Sequence, residues 1–274
     1  MAVAGLRKRA TATRGGVRWG APLFALAILA SVAPLWAQVS PTEVRLDTAD
    51  GIEVFGDLYW SEDTRGRPLI LLFHQGGSDA RAEYGPMIPR LMAAGFNALA
   101  IDQRRGGSML GGSNRTVDAL GEADFSYCDV YPDLEAALEY ARRLEPDVRP
   151  IAWGSSYTAA LVFRLALENP DAVAAVLAFS PASGEPMEGC RPESWSAQVT
   201  QPVLVLRRAS EVEIPWIAQQ FETLSSHGHR TYVSRPGAHA SSMLNAARVD
   251  GDVEPTWAVV LDFLASVRAG SPEP

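Results

Sequence analysis

The chain has 274 residues, of which 47% are hydrophobic and 20% are charged. This length is enough for one large domain or two small ones, and the composition is that of a globular protein, not a disordered one. The 24 basic and 32 acidic residues give a formal net charge of −8. Lys8 is the one lysine, which excludes a Schiff-base lysine or a serine–lysine dyad from the rest of the chain.

Residues 1–37 have the composition of a secretory signal peptide. They carry five basic and no acidic residues, then an apolar run of 13 residues from Ala21 to Ala33 with Pro22 and Pro34 at its ends, and they end at the small residue Ala37. Because roughly 20 apolar residues are needed to span a bilayer, we expect cleavage after Ala37 and export to the periplasm or medium. A retained membrane anchor is the alternative. Cleavage leaves 19 basic and 32 acidic residues, a balance that disfavours nucleic acid and anionic membranes as partners.

The remaining sequence begins with two strands within residues 43–60, which meet at the turn signal Asp50-Gly51. Strands with continuous apolar character and amphipathic helices then follow. The strands are predicted at 68–74, 96–102, 149–154, 172–180, 202–207 and 231–235, and the helices at 83–95, 131–145, 156–169, 215–228 and 255–270. This order predicts a single α/β domain over 38–274 with a doubly wound, mostly parallel eight-stranded sheet.

A candidate nucleophile follows the strand at 149–154, at the sheet edge where ligands bind in this class of fold. A sharp strand-to-helix turn requires a small residue two positions before the nucleophile. Gly154 stands two before Ser156, whereas the bulky Trp153 stands two before Ser155. Ser156 is therefore the candidate, and helix capping by the two serines is the alternative.

Four histidines are candidates for the general base. His227 and His229 lie between a helix and a strand at the amino edge of the sheet, and we expect both at the surface. His74 closes a strand, and we expect its ring to be hydrogen-bonded within the loop. His239 follows the last strand on the catalytic edge, so it is the predicted base.

The acid is expected after the strand at 202–207, where Glu211 lies, with Glu213 and the more remote Glu185 as alternatives. The order Ser156, Glu211, His239 is that of an α/β-hydrolase triad. With the stretches LLFHQGGS, ALAIDQRRGG, WGSSYTAAL, PVLVLRRASEVEIP and RPGAHASS, the chain resembles the α/β-hydrolase superfamily over about residues 43–268. The resemblance is closest to its dienelactone-hydrolase-like and serine-esterase branches. Thr158 and Gln75 stand where many relatives have glycine, and the acid is usually aspartate.

The resemblance implies two oxyanion donors. One is the backbone N–H of Tyr157, and the other comes from the loop HQGGS, at Gly76 or Gln75; a plain tight turn is the alternative. Arg104 and Arg105, in a loop beside the predicted site, could bind a substrate carboxylate. An ion pair with one of the chain's many acidic residues is the favoured alternative for these arginines.

Both cysteines lie in loops on the catalytic edge. Given export, we expect a disulfide between Cys128 and Cys190, with reactive free thiols as the alternative. Only 21 residues, 181–201, are available for a cap, which implies a shallow site and small soluble substrates. We therefore expect a serine hydrolase that cleaves small-molecule esters without a metal or cofactor. A peptidase of the same fold and a non-catalytic exported binding protein are the alternatives.

Overall fold

The structure is a computed structural model that describes residues 1–2 and 40–270. Apart from its first two residues, the predicted signal peptide lies outside these ranges, as does its cleavage site. In the described ranges, no helix has both the length and the apolar character that crossing a membrane requires. The strands and helices described below all belong to the unit Ala37–Pro274.

A single eight-stranded sheet organises the domain, with the spatial order β1-β2-β4-β3-β5-β6-β7-β8. The strands are β1 Thr42–Asp47, β2 Glu53–Tyr59, β3 Leu69–Phe73, β4 Asn97–Asp102, β5 Ile151–Ser155, β6 Ala175–Phe179, β7 Val203–Arg208 and β8 Arg230–Ser234. The pairs β1–β2 and β2–β4 are antiparallel, and the five other pairs are parallel. The predicted fold class, a mostly parallel α/β-hydrolase sheet, is confirmed.

Helices cover both faces of this sheet. They are α1 Ala80–Tyr84, α2 Ile88–Ala93, α3 Arg115–Leu120, α4 Tyr131–Leu144, α5 Tyr157–Glu168, α6 Glu193–Ser196, α7 Ala209–Val212, α8 Pro215–Ser226 and α9 Glu254–Gly270. The segment 83–95, predicted as a helix whose regular part Pro86 and Pro89 confine, forms the end of α1 and then α2, which are separated at Gly85-Pro86. Pro86 has no N–H with which to continue a helix.

The sheet separates two hydrophobic clusters, which explains why its central strands are apolar throughout. In β3, Leu71 and Phe73 belong to the cluster shared with α4 and α5, whereas Ile70 and Leu72 belong to the cluster shared with α2 and α9. Side chains of a strand alternate between faces, so burial on both faces requires a continuous apolar run. The carboxyl ends of these strands then present their loops at one edge.

The disulfide predicted between Cys128 and Cys190 is confirmed. It joins the segment just before α4 to the short connection between β6 and β7, and the two Cα atoms are 5.7 Å apart. That connection contains only a 3₁₀ turn at Glu185–Met187 and the short helix α6, so little material covers the carboxyl edge there. The open edge agrees with the prediction of little or no cap.

Candidate active site

The turn from β5 into α5 presents Ser156 in a strained backbone conformation. Its φ is +61°, in the left-handed region that non-glycine residues rarely adopt. A methyl group at Gly154 would lie 2.6 Å from the Cα of Ala159 and closer still to the carbonyl of Thr158. Only glycine therefore fits two positions before Ser156. This agrees with the steric requirement that favoured Ser156 over Ser155 as the candidate nucleophile.

Thr158, which departs from the usual glycine, supports the same turn through its hydroxyl group. Its Oγ1 accepts a hydrogen bond from the backbone N–H of Ser155 at 2.8 Å and donates to the carbonyl oxygen of Phe73, also at 2.8 Å. These bonds tie the turn to the end of β3. The substitution therefore adds a link between two loops of the site.

Ser156, His239 and Glu211 form a connected hydrogen-bonded row. Ser156 Oγ lies 3.1 Å from His239 Nε2, and His239 Nδ1 lies 2.6 Å from Glu211 Oε1. An ionised carboxylate is only an acceptor, so Nδ1 carries the proton and Nε2 is left to accept the hydroxyl proton of Ser156. This is the arrangement in which a serine can transfer its proton to a base that a carboxylate orients.

Glu211 is buried, and its charge is stabilised by neighbouring side chains from the end of β7 and from the loop after β8. Burial raises the pKa of Glu211, but hydrogen bonding to His239 and the charge of Arg207 outweigh it and hold the pKa below its usual value. Arg207 lies at the end of β7 with its Nη1 3.3 Å from Glu211 Oε2. Burial lowers the pKa of Arg207 to about 10, so the guanidinium is still charged at neutral pH.

Arg207 was not predicted as a site residue, although the sequence of its strand indicates that this position is unusual. The strand VLVLRR is apolar until its last two residues, and a charge that directly follows a buried run marks a position near the site. The side chain of Arg207 is only 2% exposed. A buried arginine requires an anionic partner, and here that partner is the carboxylate that orients His239.

The alternative acids and bases lie elsewhere. Glu213 and Glu185 are exposed, and within residues 40–270 neither is hydrogen-bonded to His239. His227 contacts the hydroxyl of Ser196 at 2.9 Å. The expectation that His229 lies at the surface is wrong, because it is buried against Phe163 and bonded to the carbonyl of Ser196.

His74 is buried inside the loop after β3 and fixes the peptide that precedes Gly76. The backbone N–H of Gln103 donates to His74 Nε2 at 3.1 Å, so Nδ1 carries the proton and donates to the carbonyl oxygen of Gln75 at 2.9 Å. In a trans peptide the N–H points opposite to the C=O. Holding the Gln75 carbonyl therefore sets the direction of the Gly76 N–H.

The three candidate oxyanion donors differ in whether their N–H groups are already used. The N–H of Gln75 donates to Glu83 Oε2 at 2.9 Å. Over the described ranges, the N–H groups of Gly76 and of Tyr157, the first residue of α5, have no hydrogen-bond partner. The donor pair consistent with this pattern is Gly76 and Tyr157, and Gln75 is not free to serve.

The side chains of Arg104 and Arg105 are held by neighbouring carboxylates or carbonyls. Arg104 is buried, with Nη1 2.5 Å from Asp50 and Nε 2.8 Å from Asp133. Arg105 lies over the ring of Tyr127 and donates to Asp124 at 2.9 Å. Both arginines thus have the ion pairs that were the favoured alternative, and we assign neither a substrate carboxylate.

The fold and the Ser156–His239–Glu211 row together define a class, the serine hydrolases of the α/β-hydrolase superfamily. Within it, the chain belongs to the family described as serine aminopeptidase, S33, whose model matches residues 64–261. None of the curated proteins matches the chain.

Solved structures with similar folds include both esterases and peptidases. An esterase of Pyrococcus furiosus has a TM-score of 0.63 at 17% identity, covering 83% of this chain and 91% of the esterase. A Klebsiella pneumoniae protein assigned as a dienelactone hydrolase has the same score and identity, covering 82% of this chain and 98% of its own. The acylaminoacyl peptidase of Pyrococcus horikoshii scores 0.57 at 18% identity, covering 82% of this chain but 41% of the peptidase. At these identities the likeness extends to the fold alone.

Proposed function

We propose that the protein hydrolyses ester bonds of small soluble substrates through an acyl-enzyme, with Ser156 as nucleophile, His239 as base and Glu211 as orienting acid. The single observation that carries the proposal is the continuous row from Ser156 Oγ to His239 Nε2 at 3.1 Å and from His239 Nδ1 to Glu211 at 2.6 Å. The row lies at the carboxyl edge of the sheet, beside two unused backbone N–H groups.

In the acylation step, Ser156 Oγ attacks the ester carbonyl carbon while its proton passes to His239 Nε2. The carbonyl π-electrons move to oxygen, and the N–H groups of Gly76 and Tyr157 hydrogen-bond the resulting oxyanion. Collapse of this intermediate breaks the carbon–oxygen bond of the ester, and His239 returns the proton to the departing alcohol. Water then repeats the sequence on the acyl-enzyme, which releases the acid and restores Ser156.

Glu211 contributes at the moment when His239 becomes cationic. Its carboxylate faces Nδ1, so the positive charge on the imidazolium forms next to a fixed negative charge. Burial of Glu211 leaves few water molecules to compete for that interaction. A glutamate here has the same acceptor chemistry as the usual aspartate, and its extra methylene lets the acid reach from α7.

Covalent labelling combined with hydrolysis tests the proposal. A fluorophosphonate should label Ser156 in the full-length protein, and Ser156→Ala should lose both the label and p-nitrophenyl acetate hydrolysis. Ser226→Ala is the matched control, because it removes an exposed serine hydroxyl at the end of α8 and should keep both the label and the hydrolysis. A wild-type protein that neither reacts with the probe nor hydrolyses any short ester would refute the assignment and favour a non-catalytic binding protein.

A peptidase is the second candidate, favoured by the description of the matching family and by the peptidase among the similar folds. The short connection between β6 and β7 argues for esters, since it leaves little chain for a cap that would select peptide ends. Short-chain p-nitrophenyl esters and aminoacyl p-nitroanilides compared at equal concentration separate the two. A preference for the anilides, or for long acyl chains, would contradict the ester proposal.

We further propose that the protein is exported, with residues 1–37 removed. The disulfide supports this, because such bonds persist in oxidising compartments. Mass spectrometry of the protein recovered from a periplasmic or culture fraction should give a chain that begins after Ala37. Recovery of the intact chain from the membrane fraction would instead indicate a retained anchor.

A further inference from the structure

Glu83, in α1, is a buried carboxyl group to which the proposed chemistry assigns no role. It is 0% exposed, and burial raises its pKa even though neighbouring donors oppose the shift. Oε2 accepts the backbone N–H of Gln75 at 2.9 Å, and Oε1 accepts the hydroxyl of Ser155. A carboxyl group buried at this depth is costly unless hydrogen bonds satisfy it, so its position calls for an explanation.

The two partners of Glu83 belong to the oxyanion loop and the nucleophile turn, and one of them also contacts the histidine loop. Gln75 directly precedes the oxyanion donor Gly76, and Ser155 directly precedes Ser156. The oxygen of Ser155 in turn accepts the backbone N–H of Ser241 at 3.1 Å, two residues after His239. One buried carboxyl group and one hydroxyl therefore connect the oxyanion loop, the nucleophile turn and the histidine loop.

The chemistry of these contacts requires an acceptor at both oxygens of residue 83. Gln75 can only donate through its N–H, and the hydroxyl of Ser155 donates its single proton to Oε1 while its oxygen accepts from Ser241. A glutamine at position 83 would direct its NH₂ group toward one of these donors. Turned toward Gln75, the NH₂ group faces an N–H and that bond is lost; turned toward Ser155, it leaves the hydroxyl proton without its acceptor Oε1.

We propose, on the basis of the function assigned above, that Glu83 is a positioning residue that holds the oxyanion loop, the nucleophile turn and the histidine loop in their reactive arrangement. It touches neither the substrate nor the reacting atoms. Its effect passes through Gln75 to the Gly76 N–H, and through Ser155 to the relative placement of Ser156 and His239. Small displacements of such groups reduce turnover strongly while substrate affinity changes little.

Glu83→Gln in the full-length protein tests this role, with Glu145→Gln as the matched control. Glu145 is also a buried carboxylate that accepts one side-chain N–H, from Trp60 at 2.8 Å, and one backbone N–H, from Gly66 at 3.1 Å. It lies beyond α4, away from the carboxyl edge. Both donors of Glu145 meet its Oε1, so Glu145→Gln removes the charge of a buried carboxylate while the amide oxygen keeps both bonds, whereas Glu83→Gln also removes an acceptor because the donors of Glu83 meet different oxygens.

We expect Glu83→Gln to lower kcat for p-nitrophenyl acetate by about 10- to 100-fold, with KM within about twofold of wild type. The rate of fluorophosphonate labelling should fall in parallel. Glu145→Gln should keep kcat within about twofold, even where the melting temperatures of both variants fall equally. A purely structural role would lower the melting temperature of Glu83→Gln and leave kcat of the folded protein unchanged.

If Glu83→Gln fails to fold, Ser155→Ala tests the same role, because it removes the hydroxyl that bridges Glu83 and the backbone N–H of Ser241. It should lower kcat by about tenfold, and the double variant should lose little more than Glu83→Gln alone because both changes remove one bridge. Wild-type kcat in Glu83→Gln or Ser155→Ala, with Ser156→Ala inactive, would overturn the positioning role and leave the proposed function intact. Wild-type protein without ester hydrolysis would overturn both.

Discussion

Gly154→Ala is the most direct test of the turn that presents Ser156. The added methyl would lie 2.6 Å from the Cα of Ala159 and closer to the carbonyl of Thr158, and these are backbone atoms that cannot rotate away. Relief requires α5 to move outward by several tenths of an ångström. Overpacking of this kind costs about 1–3 kcal/mol of unfolding free energy.

The movement would also shift Ser156, which lies between Gly154 and the displaced backbone. Its Oγ is 3.1 Å from His239 Nε2, already at the long end of a productive bond, so a small outward shift breaks the contact. We expect kcat for a short ester to fall by about 100-fold or more.

Gly184→Ala is the matched control for this experiment. Gly184 has φ −67°, and a methyl there would meet only the Cδ of Pro186 at 3.5 Å, an ordinary contact. This variant should keep the melting temperature and kcat of the wild type. Equal kcat in Gly154→Ala and Gly184→Ala, measured on folded protein, would refute the steric explanation of the turn.

Three further predictions concern the charge and covalent links of the site. Because the pKa of Glu211 is below its ordinary value in the folded state, its ionised form stabilises the fold above that ordinary value, and this stabilisation is lost as the pH falls through the lowered pKa. Glu211→Gln should therefore be less stable than wild type at pH 7, with the gap narrowing toward pH 3 in urea titrations, and a gap independent of pH would contradict the assignment. Arg207→Met should lower the free energy of unfolding by about 3–5 kcal/mol, because it leaves the carboxylate of Glu211 buried without this partner. Arg208 is half-exposed, so Arg208→Met should lower the free energy of unfolding by only about 0–1 kcal/mol. Equal losses for the two variants in urea titrations would show that burial does not govern the interaction. Replacing Cys128 and Cys190 by serine should remove about 2–4 kcal/mol, and an unchanged melting temperature on reduction of the wild type would count against a stabilising role.

The sequence predicted the parts of the site that depend on position along the chain. Ser156, Glu211 and His239 each follow a strand, and parallel strands bring their carboxyl ends to one edge, so the order of motifs was sufficient to bring them together. The need for a small residue at position 154 could also be predicted from the sequence, because the backbone atoms that a side chain there would meet belong to Thr158 and Ala159, only a few residues away.

The contacts that support the site could not be predicted in this way. Glu83 meets Ser155 across 72 positions of the chain, and nothing in the local sequence distinguishes it from an ordinary helix glutamate. His229 was expected at the surface because it lies between a helix and a strand at the amino edge of the sheet, but its packing against Phe163 depends on the tertiary fold. The loop donor could be narrowed to Gly76 only after the N–H of Gln75 was found to bind Glu83.

Backbone strain in the described chain is concentrated at this same edge. Over residues 40–270 the non-glycine residues with positive φ are Ser156, Ser180 and Ala240, at +61°, +51° and +55°. Each follows a strand or the histidine, and each conformation costs on the order of 1–3 kcal/mol. The N–H of Ala240 donates to Ser180 Oγ at 3.1 Å, so two strained residues stabilise each other.

Strain of this kind persists only where surrounding bonds outweigh it. The N–H of Ser156 donates to the carbonyl of Phe179 at 2.8 Å, and its own carbonyl accepts from Ala182 at 3.0 Å, so both sides of Ser156 are anchored to the segment around the end of β6. These bonds and the Glu83 bridge hold the turn from opposite sides. The bonds that hold Ser156 in its strained conformation therefore also fix its position relative to His239, and for this reason we expect loss of the buried acceptor Glu83 to lower turnover without any contact with the substrate.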